Sequence, residues 1–503
     1  MKLGRFPIYP IIAALYPVVL LYSVNWGIVP LSDIVVPLLV AFVSSCAAFV
    51  VVWVLMRDLH RTAVVVTLAV AATYTFAALL KITGIDDRVL LFVEVLALFV
   101  IGALLTHKKV KLQGLSGPLN LLTIILLLLP VIGLATGEKR QVGTRLPVKI
   151  KTDPSAAPAR KPDIFYIVVD GYGRADQLKR VMGFDNSDFI DFLTSRGFHV
   201  IPKAHSNYCQ TELSISSTLN ISYLQDFRDK LTPLTQDRLI LDDSINKSFV
   251  AEFFRSIGYR IIGVASGFPN ITFKNADAVY KGAQSRSLLQ NALLEMTPLA
   301  SKALAPESMF NVRRKTLNAA FENLVHLAKP SPAPRLVLAH ILAPHPPFVF
   351  DRDGNPLRQA TPFGYADGSD YMEIGGTPQS YTDGYTGQIQ YENQRLKQVV
   401  DAILKQATSP PIIIIAGDHG SKQGLDQQRI EKTDVQECFS NLQALYLPPN
   451  AEKLLTPDFT PINFFRLILK ECFNQPIELV PNHSYYSPFP GPYQFTEVTD
   501  RLK

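Results

Sequence analysis

The first 136 residues contain five apolar stretches, at about 7–29, 34–56, 62–81, 88–106 and 118–136, each near the ~20 residues a helix needs to cross a bilayer. Backbone amides in hydrocarbon must be satisfied within their own segment or a closed barrel, so stretches of this length and apolarity are expected to be helices. A cleaved signal peptide accounts for the first stretch only, because four more follow it. The chain therefore reads as a polytopic membrane protein with a transmembrane domain over 1–136.

The short loops give the expected orientation. Lys2 and Arg5 precede the first stretch, Arg57 and Arg61 follow the second, and Lys108, Lys109 and Lys111 follow the fourth. The positive-inside rule places these ends in the cytoplasm, and five spans then carry the rest of the chain to the other side. Lys139, Arg140, Arg145, Lys149 and Lys151 oppose this mildly, but long translocated domains largely escape the charge rule. The expectation is a multi-pass protein of the cytoplasmic (inner) membrane with an extracytoplasmic domain over 161–503. A net charge of +6 on 503 residues is modest and does not suggest nucleic acid as a partner.

Residues 137–160 lack apolar periodicity and end in Pro154-Ser155-Ala156-Ala157-Pro158, which reads as a linker. The pattern then changes to strands alternating with helices. Ile164-Phe165-Tyr166-Ile167-Val168-Val169 runs into Asp170, and Ile412-Ile413-Ile414-Ile415-Ala416-Gly417 runs into Asp418-His419. Short β-branched runs of this kind are strands covered on both faces. Further strands are expected at 197–201, 260–264 and 335–341, with helices at 189–195 and 391–404. The fold class is α/β, a mostly parallel sheet flanked by helices.

Ligands of such sheets lie beyond the carboxyl ends of the strands, so Asp170, Asp418 and His419 are expected to converge. Between them lies Thr211, in Asn207-Tyr208-Cys209-Gln210-Thr211-Glu212-Leu213-Ser214, a polar loop entering a helix over 212–219. Carboxylates, an imidazole and a hydroxyl form a plausible ligand set for one divalent metal. The competing reading makes Thr211 or Gln210 a helix cap and the acids ordinary strand-end turns. His205 and Asn207 flank the loop as candidate phosphate contacts, although a surface loop explains them equally well. Arg313, Arg314 and Lys315 read as a solvated helix face. Four cysteines make no disulfide framework, and only Cys438 and Cys472 remain as a possible pair.

Asp170 after its strand, Thr211 in a T-x-x-S context, His345 in Ala343-Pro344-His345-Pro346-Pro347-Phe348, and Gly417-Asp418-His419-Gly420 resemble the sulfatase-like branch of the alkaline phosphatase superfamily. With the preceding spans, the resemblance is to lipoteichoic acid synthase and the phosphoethanolamine transferases. It implies that Asp170, Thr211, Asp418 and His419 hold a Zn or Mn ion, with Thr211 as nucleophile and His345 binding phosphate or protonating the leaving group. The sulfatase signature C/S-x-P-x-R is not met, since Cys209 is followed by Thr211 and Leu213. Asp170-Gly171 replaces a paired Asp-Asp, and no histidine follows His419 until His483, so a single metal is expected.

These features together imply an enzyme moving a phospho-head-group, phosphoglycerol or phosphoethanolamine, from a phospholipid donor to a glycan or lipid acceptor. The alternatives are a hydrolase of the same fold and a catalytically silent membrane protein that binds a glycan or an assembly partner.

Overall fold

The computed structural model describes residues 6–502 apart from 27–28, 30, 107–111, 137–147, 149, 228–235, 266, 269–270, 272, 283–286 and 301–308. Lys2, Arg5, Lys108, Lys109, Lys111, Lys139, Arg140, Arg145 and Lys149, which enter the orientation argument, lie outside the described residues. The chain forms two compact units, Met1–Arg140 with Arg286–Met309, and Gln141–Ser285 with Phe310–Lys503. The sequence reading assigns 286–309 to the globular domain, yet this segment groups with the N-terminal helices. The reason is local: Leu289 and Leu293 are buried in the same core as Ala14, Val18 and Ile34.

All five apolar stretches are helical: α1 (Tyr9–Val24), α2 (Ser32–Met56), α3 (Leu59–Thr83), α4 (Asp87–Leu105) and α5 (Ser116–Thr136). The last four are long and apolar enough to cross a membrane. Helix α1 has 16 residues, or about 24 Å at 1.5 Å per residue, short of the ~30 Å hydrocarbon core. Its first turn has no side-chain cap of its own. Asn120 of α5 supplies one, its Oδ1 accepting from the Ile8 and Tyr9 amides at 3.0 Å. Leu55, Phe92 and Phe99 stand outward and mostly exposed, which suits a hydrocarbon surround far better than water.

The globular unit is built on a seven-stranded sheet of order β2-β7-β6-β1-β5-β3-β4. Its strands are β1 (Ile164–Val169), β2 (His199–Val200), β3 (Arg260–Ala265), β4 (Ala278–Lys281), β5 (Arg335–Ile341), β6 (Ile412–Ala416) and β7 (Gln443–Tyr446). The β6-β1-β5-β3-β4 pairings are parallel, while β7 and β2 pair antiparallel at one edge. The strand expected at 197–201 shrinks to two residues, and β4 and β7 add to those read from the sequence.

Strand β1 shows why the sheet is apolar throughout. Phe165, Ile167 and Val169 face one core, with Ile413, Ile415 and the helices Met309–Leu327 and Pro378–Gln406. Ile164, Tyr166 and Val168 face the other, with Ile412, Ile414 and the helices Phe249–Ser256 and Phe464–Phe473. A strand with both faces buried has no polar alternation to display.

Candidate active site

Val168 pairs with His340 on one side and Ala416 on the other, so β1, β5 and β6 end level. The loops beyond them are stitched together. The Asp170 amide donates to Ile341 O at 2.9 Å, and the Gly171 amide to Asp418 Oδ1 at 2.9 Å. Gly171 has φ +73°, and a Cβ there would lie 3.5 Å from the His419 ring. That left-handed turn favours glycine, which explains why no second aspartate follows Asp170.

The structure brings Asp170, Asp418 and His419 together, one ligand atom of each lying within 4.8 Å of the others, all buried. His419 Nδ1 lies 2.9 Å from Gly420 O. A carbonyl only accepts, so Nδ1 carries the proton and Nε2 presents a lone pair. That lone pair meets Asp418 Oδ2 at 3.2 Å, Asp170 Oδ1 at 3.5 Å and Thr211 Oγ1 at 3.2 Å. The two carboxylate oxygens are buried without a hydrogen-bond partner. Burial drives the His419 pKa down; burial, then the Asp418 charge, pushes the Asp170 carboxyl up to about 7. Lone pairs converging on one dry point are what a divalent cation relieves, so these residues fit the expected metal.

Thr211 is the first residue of the helix Thr211–Asn220, all of which is buried. Its hydroxyl donates to Asp170 Oδ2 at 3.4 Å, leaving its own lone pairs toward the same point. Gln210 is the N-cap residue but makes no side-chain cap. Its Nε2 donates to Ser487 O at 2.8 Å, and its Oε1 accepts from Arg238 Nη2 at 2.5 Å. The cap reading therefore loses its geometric basis, and the helix start points its dipole at the same place. Residues 484–489 hold the loop in place: the Tyr485 amide donates to Asn207 O at 2.9 Å, and Arg238 Nη2 also donates to Phe489 O at 2.8 Å.

His205 and Asn207 belong to this scaffold, which corrects their expected role as phosphate contacts. Asn207 is fully buried, with Oδ1 accepting from the Ile462 amide and Nδ2 donating to His483 O. Ser484 Oγ donates to Ser206 O, so His205 Nδ1, 2.8 Å from that oxygen, is a donor. The Asn207 amide is thus engaged at both ends, whereas His205 keeps a lone pair at Nε2.

His345 is placed by its backbone, the amide donating to Asp170 O at 3.2 Å. Its Nδ1 lies 2.6 Å from Pro346 O and must donate, which points Nε2 to Asp367 Oδ2 at 3.5 Å. Asp367 is itself held by Tyr381 Oη and the Gly368 amide, each 2.8 Å from Oδ1. Sequence reasoning missed Asp367, which carries no motif and is placed by contacts that only the fold reveals. It also passed over Lys422, three residues after His419, where a basic residue beside the motif was a usable signal. Lys422 is 6% exposed, and its charge acts on Asp170 and His419.

His340, at the end of β5, touches Asp170: Nε2 lies 3.1 Å from Asp170 Oδ2, while burial holds its pKa down at about 4. The Arg313–Lys315 run also departs from expectation. Arg313 is buried and donates to Leu342 O, and Arg314 donates to Val349 O at 3.2 Å, so the two arginines pin the segment carrying His345. All four cysteines are free. Cys438 packs in one core with Cys209, and Cys472 borders another, so the pairing left open for Cys438 and Cys472 is not made.

Several solved structures are similar to this chain at low identity. The C-terminal periplasmic domain of EptC from Escherichia coli in complex with Zn is 8% identical, covering 70% of this chain and 96% of that one at TM-score 0.45. The corresponding domain of the phosphoethanolamine transferase EptC from Campylobacter jejuni is 12% identical, covering 66% and 95% at 0.39. The soluble domain of lipooligosaccharide phosphoethanolamine transferase A from Neisseria meningitidis is 12% identical, covering 65% and 92% at 0.39. No curated protein matches the chain. A family model does: the sulfatase model spans residues 162–437, more than half of the sequence and all of the strand ends just described, and the chain belongs to the sulfatase family.

Proposed function

We propose that this protein is a membrane-anchored phosphotransferase that moves a phospho-head-group from a phospholipid to an acceptor hydroxyl through a phospho-threonine at Thr211. The observation that carries this reading is the position of Thr211 Oγ1: at a helix start, 3.2 Å from His419 Nε2 and 3.4 Å from Asp170 Oδ2. The sulfatase signature that would make a formylglycine is missing around Cys209, so the family's fold is retained with a hydroxyl at the reacting position.

A divalent zinc or manganese ion held by Asp170, Thr211, Asp418 and His419 would favour the threonine alkoxide and neutralise phosphoryl charge. Thr211 Oγ, its proton released to water, forms a bond to phosphorus as the bond to the glycerol oxygen breaks. His345 Nε2 gives the departing diacylglycerol its proton. Lys422 and the amides opening Thr211–Asn220 hold the non-bridging oxygens. In the second half, an acceptor hydroxyl attacks phosphorus, its proton passes to His345, and the bond to Thr211 breaks. Arg313 and Arg314, by fixing 342–349, hold His345 at its station. The apolar helices keep the enzyme where its lipid donor is concentrated, and we place the catalytic unit on the extracytoplasmic side of the inner membrane.

The test is mass spectrometry of Thr211 after exposure to phospholipid carrying a labelled head group. An adduct at Thr211 in wild type, absent in a folded Thr211→Ala protein, supports the reading. Normal turnover by Thr211→Ala overturns it. Candidate glycan and lipid acceptors then separate transfer from hydrolysis, since a hydrolase releases the label to water.

A further inference from the structure

The helical unit contains a cavity of about 660 Å³, within the ~300–1,000 Å³ of small-molecule sites. One wall is a single face of α2, where Ala41, Ser44, Ser45 and Ala48 recur at the i, i+3, i+4, i+7 spacing that aligns helical side chains. All four are small, so they leave space rather than fill it. Val66 and Val70 of α3 form a second wall, and Leu293 and Leu294 of the helix Leu288–Glu295 help to close it.

The lining is mainly apolar, and the hydroxyls along its helices are engaged. Ser44 Oγ donates to Ala41 O at 3.2 Å, Ser45 Oγ to Pro10 O at 3.3 Å and Thr73 Oγ1 to Ala69 O at 2.8 Å, so these hydroxyls are satisfied within the helices. The helix Leu288–Glu295 acts as a wedge, since Leu289 and Leu293 are buried in one core with Ala14, Val18 and Ala41 and hold α1 and α2 in this arrangement. Along α2 the lining runs from Val36 to Ala48, roughly 18 Å of helix axis at 1.5 Å per residue. The space is thus elongated along a helix long enough to cross the membrane and lined mainly by apolar side chains, with Tyr74 and Gln290 its largest polar ones.

We propose that this cavity holds one acyl chain of a membrane phospholipid, gripped between α2, α3 and the segment Leu288–Glu295. A linear hydrocarbon matches the shape, and a bilayer supplies it along the same direction. The choice of a phospholipid rests on the proposed donor; the site itself does not depend on catalysis.

The test uses the full chain in phosphatidylcholine vesicles containing phosphatidylethanolamine with a photoreactive diazirine midway along one acyl chain. Labelling should concentrate in peptides bearing Ser44, Ala48, Val70 and Leu293. Ser44→Phe and Ala48→Phe, which place a ring in the cavity, should each lower that labelling at least fivefold, whereas Val43→Phe on the exposed face of α2 should not. Labelling spread evenly over the outward residues Leu55, Phe92 and Phe99, or unaffected by both cavity variants, overturns the proposal. Thr211→Ala should label as wild type does, so loss of the transfer mechanism and loss of this site are read separately.

Discussion

The loop after Asp170 hangs on one phenol. Tyr385, 1% exposed on the helix Pro378–Gln406, donates its hydroxyl proton to Gly171 O at 2.7 Å and accepts from the Gly173 amide at 2.9 Å. Tyr385→Phe keeps the ring between Phe348 and Tyr381, at centroid distances of 6.4 and 6.1 Å, and so opens no more space than one oxygen. What it removes is the partner of two buried backbone groups. At about 1–3 kcal/mol for each group left unpaired, the globular unit should lose about 2–6 kcal/mol. Because the Gly171 amide also positions Asp418, metal affinity should fall by about 10–100-fold, as when a residue supporting a ligand is removed. Pulse proteolysis in urea on the metal-free full chain reads the first effect. Intrinsic tryptophan fluorescence reads the wrong unit, since Trp26 and Trp53 both lie among the N-terminal helices. Titration with zinc against a chromophoric chelator reads the second. A urea midpoint and a zinc affinity both equal to wild type would show that this phenol does not hold the loop.

Asp418→Asn and His419→Ala should each abolish stoichiometric metal binding, measured by elemental analysis of the purified chain, while leaving it folded; full occupancy in Asp418→Asn would refute the ligand set. His205 gives a pH effect of defined sign. Burial holds its pKa down at about 4, so between pH 6.5 and 4 the unfolded chain takes up a proton that the folded one refuses, and stability falls as pH falls. The contribution, absent above 6.5, reaches up to about 3 kcal/mol below pH 4, and His205→Gln should flatten the urea-midpoint profile by that part; an unchanged slope counts against it. A reporter active only in the cytoplasm, fused after Lys503, should be silent, and strong activity would overturn the proposed orientation.

What the sequence disclosed depended on whether a residue's role is local. β1 and β6 were legible because uninterrupted β-branched runs end in an acid, and parallel strands need no further signal. β4 and β7 were not: Ala278–Lys281 is partly exposed at an edge, and Gln443–Tyr446 is a four-residue run whose pairing is long-range. The convergence of Asp170, Asp418 and His419 was legible as strand ends, and Thr211 as a helix start. Asp367 was not, because its carboxylate is positioned by a tyrosine from another helix. The Arg313–Lys315 run misled for the opposite reason. A charge cluster on a helix is ordinarily solvated, and only the fold reveals carbonyls from 342 and 349 waiting beneath it. The grouping of 286–309 with the apolar helices likewise needed the packing of Leu289 and Leu293, since their pattern alone suits any buried helix.

The wall that residues 484–489 build around the nucleophile loop has a consequence for how the protein is made. His205, Asn207 and Gln210 find their partners more than 270 positions downstream, in Ser484, Tyr485 and Ser487. Contacts so distant in sequence close late, because the loop between them must be ordered first. During synthesis Asp170, Thr211 and even Asp418-His419 emerge before the wall exists, so the threonine cannot be locked against its ligands in a nascent chain. The arrangement around Thr211 therefore completes only after residues 484–489 have been made, and any chemistry at that loop waits for them.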